Sequence, residues 1–201
     1  MSTPTHSLSH ETHDCDTALL IIDMVSDWQF DEGALLLAQA RPIAGAIGGL
    51  KRRCRAAGVP VIYANDNQGR WRSDFRAQVQ RSLDGPGADI TQALMPDDDD
   101  YFLLKPKHSA FFCTPLDLLL EDLKVKRLLL AGVATDQCIA TTAVDARMRN
   151  YEVVVPWDCT ATQSSERQAR MERHFADALR VPTPPADQVV LRRQDMGNND
   201  R

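Results

Sequence analysis

The chain has 201 residues, 43% of them hydrophobic, which is enough for one well-packed α/β core and short for two. Its formal net charge of -5 argues against nucleic acid as a partner, since phosphate binding requires clustered Lys and Arg, and no uninterrupted apolar run is long enough to cross a bilayer. The five cysteines (Cys15, Cys54, Cys113, Cys138, Cys159) are widely spaced without CxxC pairing, so they point neither to a disulfide framework nor to structural zinc; a small-molecule ligand and a reducing, cytoplasmic setting are expected.

Residues 1–15 are polar and aperiodic and read as a disordered tail, and His6, His10 and His13 within it lack a preformed metal geometry. The domain is expected over residues 16–192. Thr17 to Ile22 (TALLII) reads as a buried parallel strand ending at Asp23. Ile43 to Ala57 carries apolar residues at helical spacing and stops at Gly58. Val59 to Ala64 predicts the second strand, Ser73 to Leu83 a helix with a Ser cap, and the acidic run Asp97 to Asp100 a solvated loop.

Tyr101 to Leu104 predicts a third strand ending at Lys105, and Pro115 to Leu123 a helix with Pro in its first turn. Leu128 to Ala131 is the fourth strand. Thr135 to Asn150 is a helix capped by Thr135 or Asp136, with Cys138 in its first turn. Glu152 to Val155 predicts a fifth strand, Ser165 to Leu179 a helix, and Gln188 to Leu191 a sixth strand, before a frayed tail at 193–201. Apolar runs alternating with amphipathic helices imply βαβ units and a three-layer α/β/α fold around a mostly parallel six-stranded sheet.

In such a sheet ligands bind beyond the carboxyl ends of the strands. Asp23 and Lys105 close the first and third strands there, and Cys138 follows the fourth. A carboxylate can accept a thiol proton, while an ammonium and a helix N-terminus favour the thiolate, so the set suits a thiol nucleophile whose pKa is expected to be lowered. Each residue alone has a plainer explanation: strands often end in a charge, and a buried Cys is usually an inert small hydrophobe.

The stretches ALLIIDM around Asp23, LLKPKHSAFFCTPLDLLL from Lys105 and LLLAGVATDQCIATTAVDARMRNYEVVVPWDCTAT around Cys138 resemble the isochorismatase-like cysteine hydrolases, in the same order from about Thr17 to about Thr162. The resemblance implies a catalytic triad of Asp23, Lys105 and Cys138. It also implies a cis peptide at Val133-Ala134 and an oxyanion hole formed by the N–H groups of Ala134 and Cys138. Relatives often assemble as dimers or tetramers, so a homo-oligomer is expected. Members resembling nicotinamidases carry an Asp-x-His motif after the second strand that binds a metal. Here that place reads Asn65-Asp66-Asn67, with no histidine between His13 and His108, so no metal and no cofactor are expected. Members resembling true isochorismatases typically lack the thiol, and its retention points to C–N cleavage of a small amide or ureide through a thioester.

Two alternatives compete with this expectation: hydrolysis of a vinyl ether, in which Asp23 matters and Cys138 does not, and a non-catalytic protein that uses the thiol for sensing. Trp28, Asn65 and Trp71 follow the first two strand ends and are the candidates for the pocket wall, although ordinary packing explains the tryptophans nearly as well. The segment Gly69 to Arg76 (GRWRSDFR) carries arginines suited to clamping a carboxylate or to forming a solvated helix face, and Arg72 is the residue to substitute in telling these apart. Lys107 rivals Lys105 by alternation, with Pro106 against it, and His108 is taken as supporting rather than performing the chemistry. Cys113 and Cys159 read as small packed residues, and Asp158 as a turn cap.

Overall fold

In the computed structural model, which describes residues 15–71 and 74–191, the apolar runs form one parallel sheet. Its strands are β1 (Thr17–Ile22), β2 (Val61–Asp66), β3 (Tyr101–Lys105), β4 (Arg127–Val133), β5 (Glu152–Val154) and β6 (Thr160–Ala161). The spatial order is β3-β2-β1-β4-β5, with β6 pairing the far end of β4. Every residue of β1 and β4 is buried, because side chains alternate between two covered faces. Leu19, Ile21, Leu129 and Ala131 meet α1 (Gly33–Ala56) on one face. Leu20, Ile22, Leu128 and Leu130 meet α4 (Leu116–Asp122) and α5 (Ala140–Met148) on the other. The remaining helices are α2 (Phe75–Leu83), α3 (Ala88–Ala93) and α6 (Ser165–Arg173).

The α/β/α layering is as expected, with several corrections. Helix α1 begins ten residues before the predicted start, and Pro42 lies inside it. The buried stripe Leu36, Leu37, Ala40 continues in phase with Ile43 and Ile47, so apolar packing carries the helix through the proline. By length and mean hydropathy α1 could cross a membrane, but its apolar face is occupied by the sheet. Helix α2 is capped by Asp74, whose side chain accepts from the Ala77 N–H at 3.0 Å; Ser73 and Arg72 lie outside the described residues. The six-residue α3 is too short to show a period and was not predicted.

The sixth strand is Thr160–Ala161, paired with Gly132 and Val133, and not Gln188 to Leu191. There a single 3-10 turn (Ala186–Gln188) forms instead. Backbone carbonyls in that stretch are taken by arginines: Arg53 Nη2 donates to Val189 O at 2.7 Å and Arg127 Nη1 to Val190 O at 2.6 Å. The acidic run is not simply solvated, since Lys51 lies 2.9 Å from Asp97 Oδ2 and 2.7 Å from the buried Asp100 Oδ2. Cys15, assigned to the tail by sequence, is buried in the core, while the rest of that tail and residues 192–201 lie outside the described residues. Cys159 is buried, but Cys113 is exposed.

Gly132 has φ 118°, and a Cβ built there would stand 2.0 Å from the Ile22 carbonyl oxygen. Only glycine permits β4 to approach β1 this closely at the level of Asp23. Gly132→Ala is therefore expected to lose about 3 kcal/mol or more, read as a lower urea midpoint; an unchanged midpoint would refute the close-approach argument.

Burial raises the Cys54 thiol from 9.0 to about 12 and the Tyr63 hydroxyl, which donates to Leu94 O, from 10.0 to about 12. Each proton is held more tightly in the folded chain, so this stability is complete below the unfolded value and is lost as pH rises through the folded one. The urea midpoint should fall between pH 9 and 12, less steeply in Cys54→Ala. Equal slopes in the two proteins would show that Cys54 is not part of the linkage.

Candidate active site

The carboxyl ends of β1, β2, β3 and β4 surround a cavity of about 670 Å³ whose wall includes Asp23, Trp28, Asp66, His108, Ala134, Gln137 and Cys138. Asp23 leaves β1 with φ 56°, a left-handed conformation that Asp tolerates better than most side chains. Its carboxylate is held on both oxygens: Oδ1 accepts from the Asp66 N–H at 2.7 Å, and Oδ2 lies 2.8 Å from Lys105 Nζ.

Lys105 is fully buried at the end of β3. Its ammonium also reaches Cys138 Sγ at 3.3 Å and the Lys107 carbonyl oxygen at 3.3 Å, so three acceptors meet its three donors. Burial alone would strip the proton from such an amine, but Asp23 and then Cys138 reverse that, and the ammonium is held well above the ordinary lysine range. Lys107 contributes a carbonyl oxygen to the cluster, while its side chain is exposed.

Cys138 does not sit on a capped first α-helical turn. After the cis Val133-Ala134 peptide the chain makes a wide π-turn (Thr135–Ile139), with the Ile139 N–H donating to Ala134 O at 3.2 Å. Neither expected cap acts as one: Thr135 donates to Gln168 Oε1 at 2.8 Å, and Asp136 Oδ1 accepts from Thr162 at 2.5 Å. The expected lowering of the thiol pKa is also reversed. Burial, then the Asp23 carboxylate, raises it, and Lys105 only partly offsets them. Both shifts are upward, so the Cys138 thiol is held protonated beside the Lys105 ammonium.

The candidates for the pocket wall divide three ways. Trp28 lines the cavity, with its indole wedged against Gly87, where an added Cβ would stand 2.1 Å from Nε1. Asn65 is fully buried outside the wall, its Oδ1 accepting from the Val25 N–H at 3.1 Å, so it fastens the chain after β1. Trp71 is 82% exposed and also absent from the wall. From the basic segment, Arg70 lines the cavity, and Arg72 lies outside the described residues. Asp158 Oδ1 caps a turn as expected, accepting from the Ala186 N–H at 2.8 Å. His108, set aside on sequence grounds, places Nδ1 3.6 Å from Cys138 Sγ. Its separation of three residues from Lys105 was the signal, and the turn over Pro106 and Lys107 is what brings it round. Among the described residues no three His, Cys, Asp or Glu side chains are grouped to hold a metal ion.

The sequence profile of the Isochorismatase domain matches residues 17–184. The chain belongs to the isochorismatase family. An uncharacterized isochorismatase family protein of Bacillus subtilis is 41% identical over 151 residues, covering 75% of this chain and 83% of that one. A ureidoacrylate amidohydrolase of an Enterobacter species is 28% identical over 174 residues, covering 72% and 74%. Among solved structures, an isochorismatase family protein from Desulfovibrio vulgaris superposes with a TM-score of 0.71 at 27% identity, over 86% of this chain and 95% of that one. The six-stranded parallel sheet is thus the isochorismatase-family sheet, and Asp23, Lys105 and Cys138 all fall within the matched span.

Removing the buried ammonium leaves the Asp23 carboxylate facing a protonated thiol without compensation. Lys105→Met is expected to cost about 3–5 kcal/mol of stability, and adding Asp23→Asn should restore part of it. Urea unfolding of the single and double variants measures this; a double variant that adds the full cost of Asp23→Asn would show the pair to be uncoupled.

Proposed function

We propose that this isochorismatase-family hydrolase is a thiol amidohydrolase that cleaves the C–N bond of a small amide or ureide through a thioester on Cys138, with no metal. The observation that carries this is the fully buried Lys105 ammonium, 2.8 Å from Asp23 Oδ2 and 3.3 Å from Cys138 Sγ, directly behind two residues of the cavity wall. The cavity size suits a small molecule, and the relative named as a ureidoacrylate amidohydrolase hydrolyses a bond of this kind.

In the proposed reaction the thiol gives up its proton as the substrate carbonyl arrives. Asp23 accepts that proton, and Lys105 stabilises the charge on sulfur. The sulfur pair forms the S–C bond, the carbonyl π pair moves to oxygen, and the N–H groups of Ala134 and Cys138 receive the oxyanion. Collapse breaks the C–N bond, the proton on Asp23 leaves with the amine, and water then hydrolyses the thioester. A thiol protonated at rest suits this order, because the thiolate forms only where an acceptor and a substrate are both present.

The test is ammonia release from a panel of small amides and ureides, with and without chelator. Release should survive chelation and fall by at least about 10³-fold in Cys138→Ala. Turnover by Cys138→Ala at the wild-type rate would overturn the thioester route, and no release from any member of the panel would favour vinyl-ether substrates.

A further inference from the structure

The proposed reaction leaves unused an imidazole that touches its nucleophile. His108 Nδ1 is 3.6 Å from Cys138 Sγ, and the residue is exposed at the junction between the cavity and an apolar groove lined by Phe112, Val144 and Met148. The chain on either side of it is pinned. Three residues before, Lys105 reaches the same sulfur and also donates to the Lys107 carbonyl. One residue after, the buried Ser109 donates to Asp145 Oδ2 at 2.5 Å and accepts from the Phe111 N–H at 3.1 Å. The Ala110 N–H then donates to Thr142 Oγ1 at 3.0 Å. A tether held at both ends presents the ring to the sulfur.

The groups around it define its charge environment. Asp23, Asp66 and Lys105 stand on the thiol side, Lys107 and Asp145 line the groove, and Asp27, Asp31, Glu32 and Arg70 line the cavity. Asp23 is already engaged by the Asp66 N–H and by Lys105, so it must share or release a donor before it takes another proton. Among the described residues, the hydrogen-bond partner of the His108 ring is Cys138 Sγ.

We propose that His108 is a catalytic residue, a second proton acceptor for Cys138. The S–H proton moves to Nδ1 of the neutral ring and the bonding pair stays on sulfur, giving a thiolate between the ammonium of Lys105 and the imidazolium of His108. The net charge of the cluster is unchanged and Asp23 stays ionised. The inference rests on Cys138 being the nucleophile, but it concerns how the thiolate forms and not which bond is cleaved.

Alkylation by iodoacetamide tests it without a substrate, so the result is independent of whether any amide is turned over. The rate is read on the Cys138 peptide by mass spectrometry across pH, because Cys113 is also exposed. In the wild type the rate should rise in two steps across pH, a lower and an alkaline one separated by a plateau, as a coupled pair does. His108→Asn, which offers an amide near the Nδ1 position but cannot titrate there, should lose the lower rise and react about tenfold more slowly or worse at pH 7. Asp23→Asn should keep the lower rise. A His108→Asn profile that superimposes on the wild type, or that drops uniformly with its inflection kept, would overturn the assignment. Exposure of His108 makes folding of the variant expected, and its unchanged thermal unfolding is the control.

Discussion

The site depends on an ammonium ion with no contact to water. Lys105 is fully buried, and an unpaired charge there would cost several kcal/mol. It is tolerated because β1, β4 and the turn after β3 each supply an acceptor: Asp23, Cys138 and the Lys107 carbonyl. The dependence is mutual, since Asp23 leaves β1 in a left-handed conformation and is held by the Lys105 ammonium and the Asp66 N–H. The candidate catalytic groups are therefore also the structural solution to one another's burial.

That arrangement places strict demands on the sheet. Asp23 and Cys138 follow adjacent strands, β1 and β4, whose separation is set where Gly132 passes the Ile22 carbonyl. Lys105 comes from two strands away, across β2, and β2 in turn fastens the chain after β1 twice, through Asn65 Oδ1 to the Val25 N–H and through the Asp66 N–H to Asp23. The end of β2 thus orients the proposed base through Asn65 and the Asp66 N–H, while Asp66, Gln68 and Arg70 also line the cavity.

Much of this was legible in the sequence because both faces of a parallel sheet are covered. Continuous apolar runs such as TALLII and RLLLAGV have few other places to go, and the charged residues that end them mark the ligand side. What escaped was whatever tertiary contacts decide. The extension of α1 through Pro42 depends on a stripe that pays off only against the sheet. The sixth strand is a two-residue piece, chosen because β5 covers only the first part of β4, while the apolar stretch near Val189 gives its carbonyls to arginines. The placements of His108 and Trp71 stayed open for a related reason. Spacing along a chain does not say whether a loop turns a side chain inward, and here one reaches the sulfur while the other is in solvent.

The protonation state of Cys138 shows how local rules yield to context. A helix start and a neighbouring ammonium both favour a thiolate, yet the sulfur is buried and shares its ammonium with a carboxylate, and those two effects win. A permanent thiolate would be open to oxidation and to any electrophile entering a cavity this size. A thiol that is ionised only by proton transfer within the cluster is quiet until an acceptor and a carbonyl coincide. The same carboxylate that keeps the thiol protonated at rest is then a natural destination for its proton, so the raised thiol pKa and a nucleophilic role follow from one geometry and do not oppose each other.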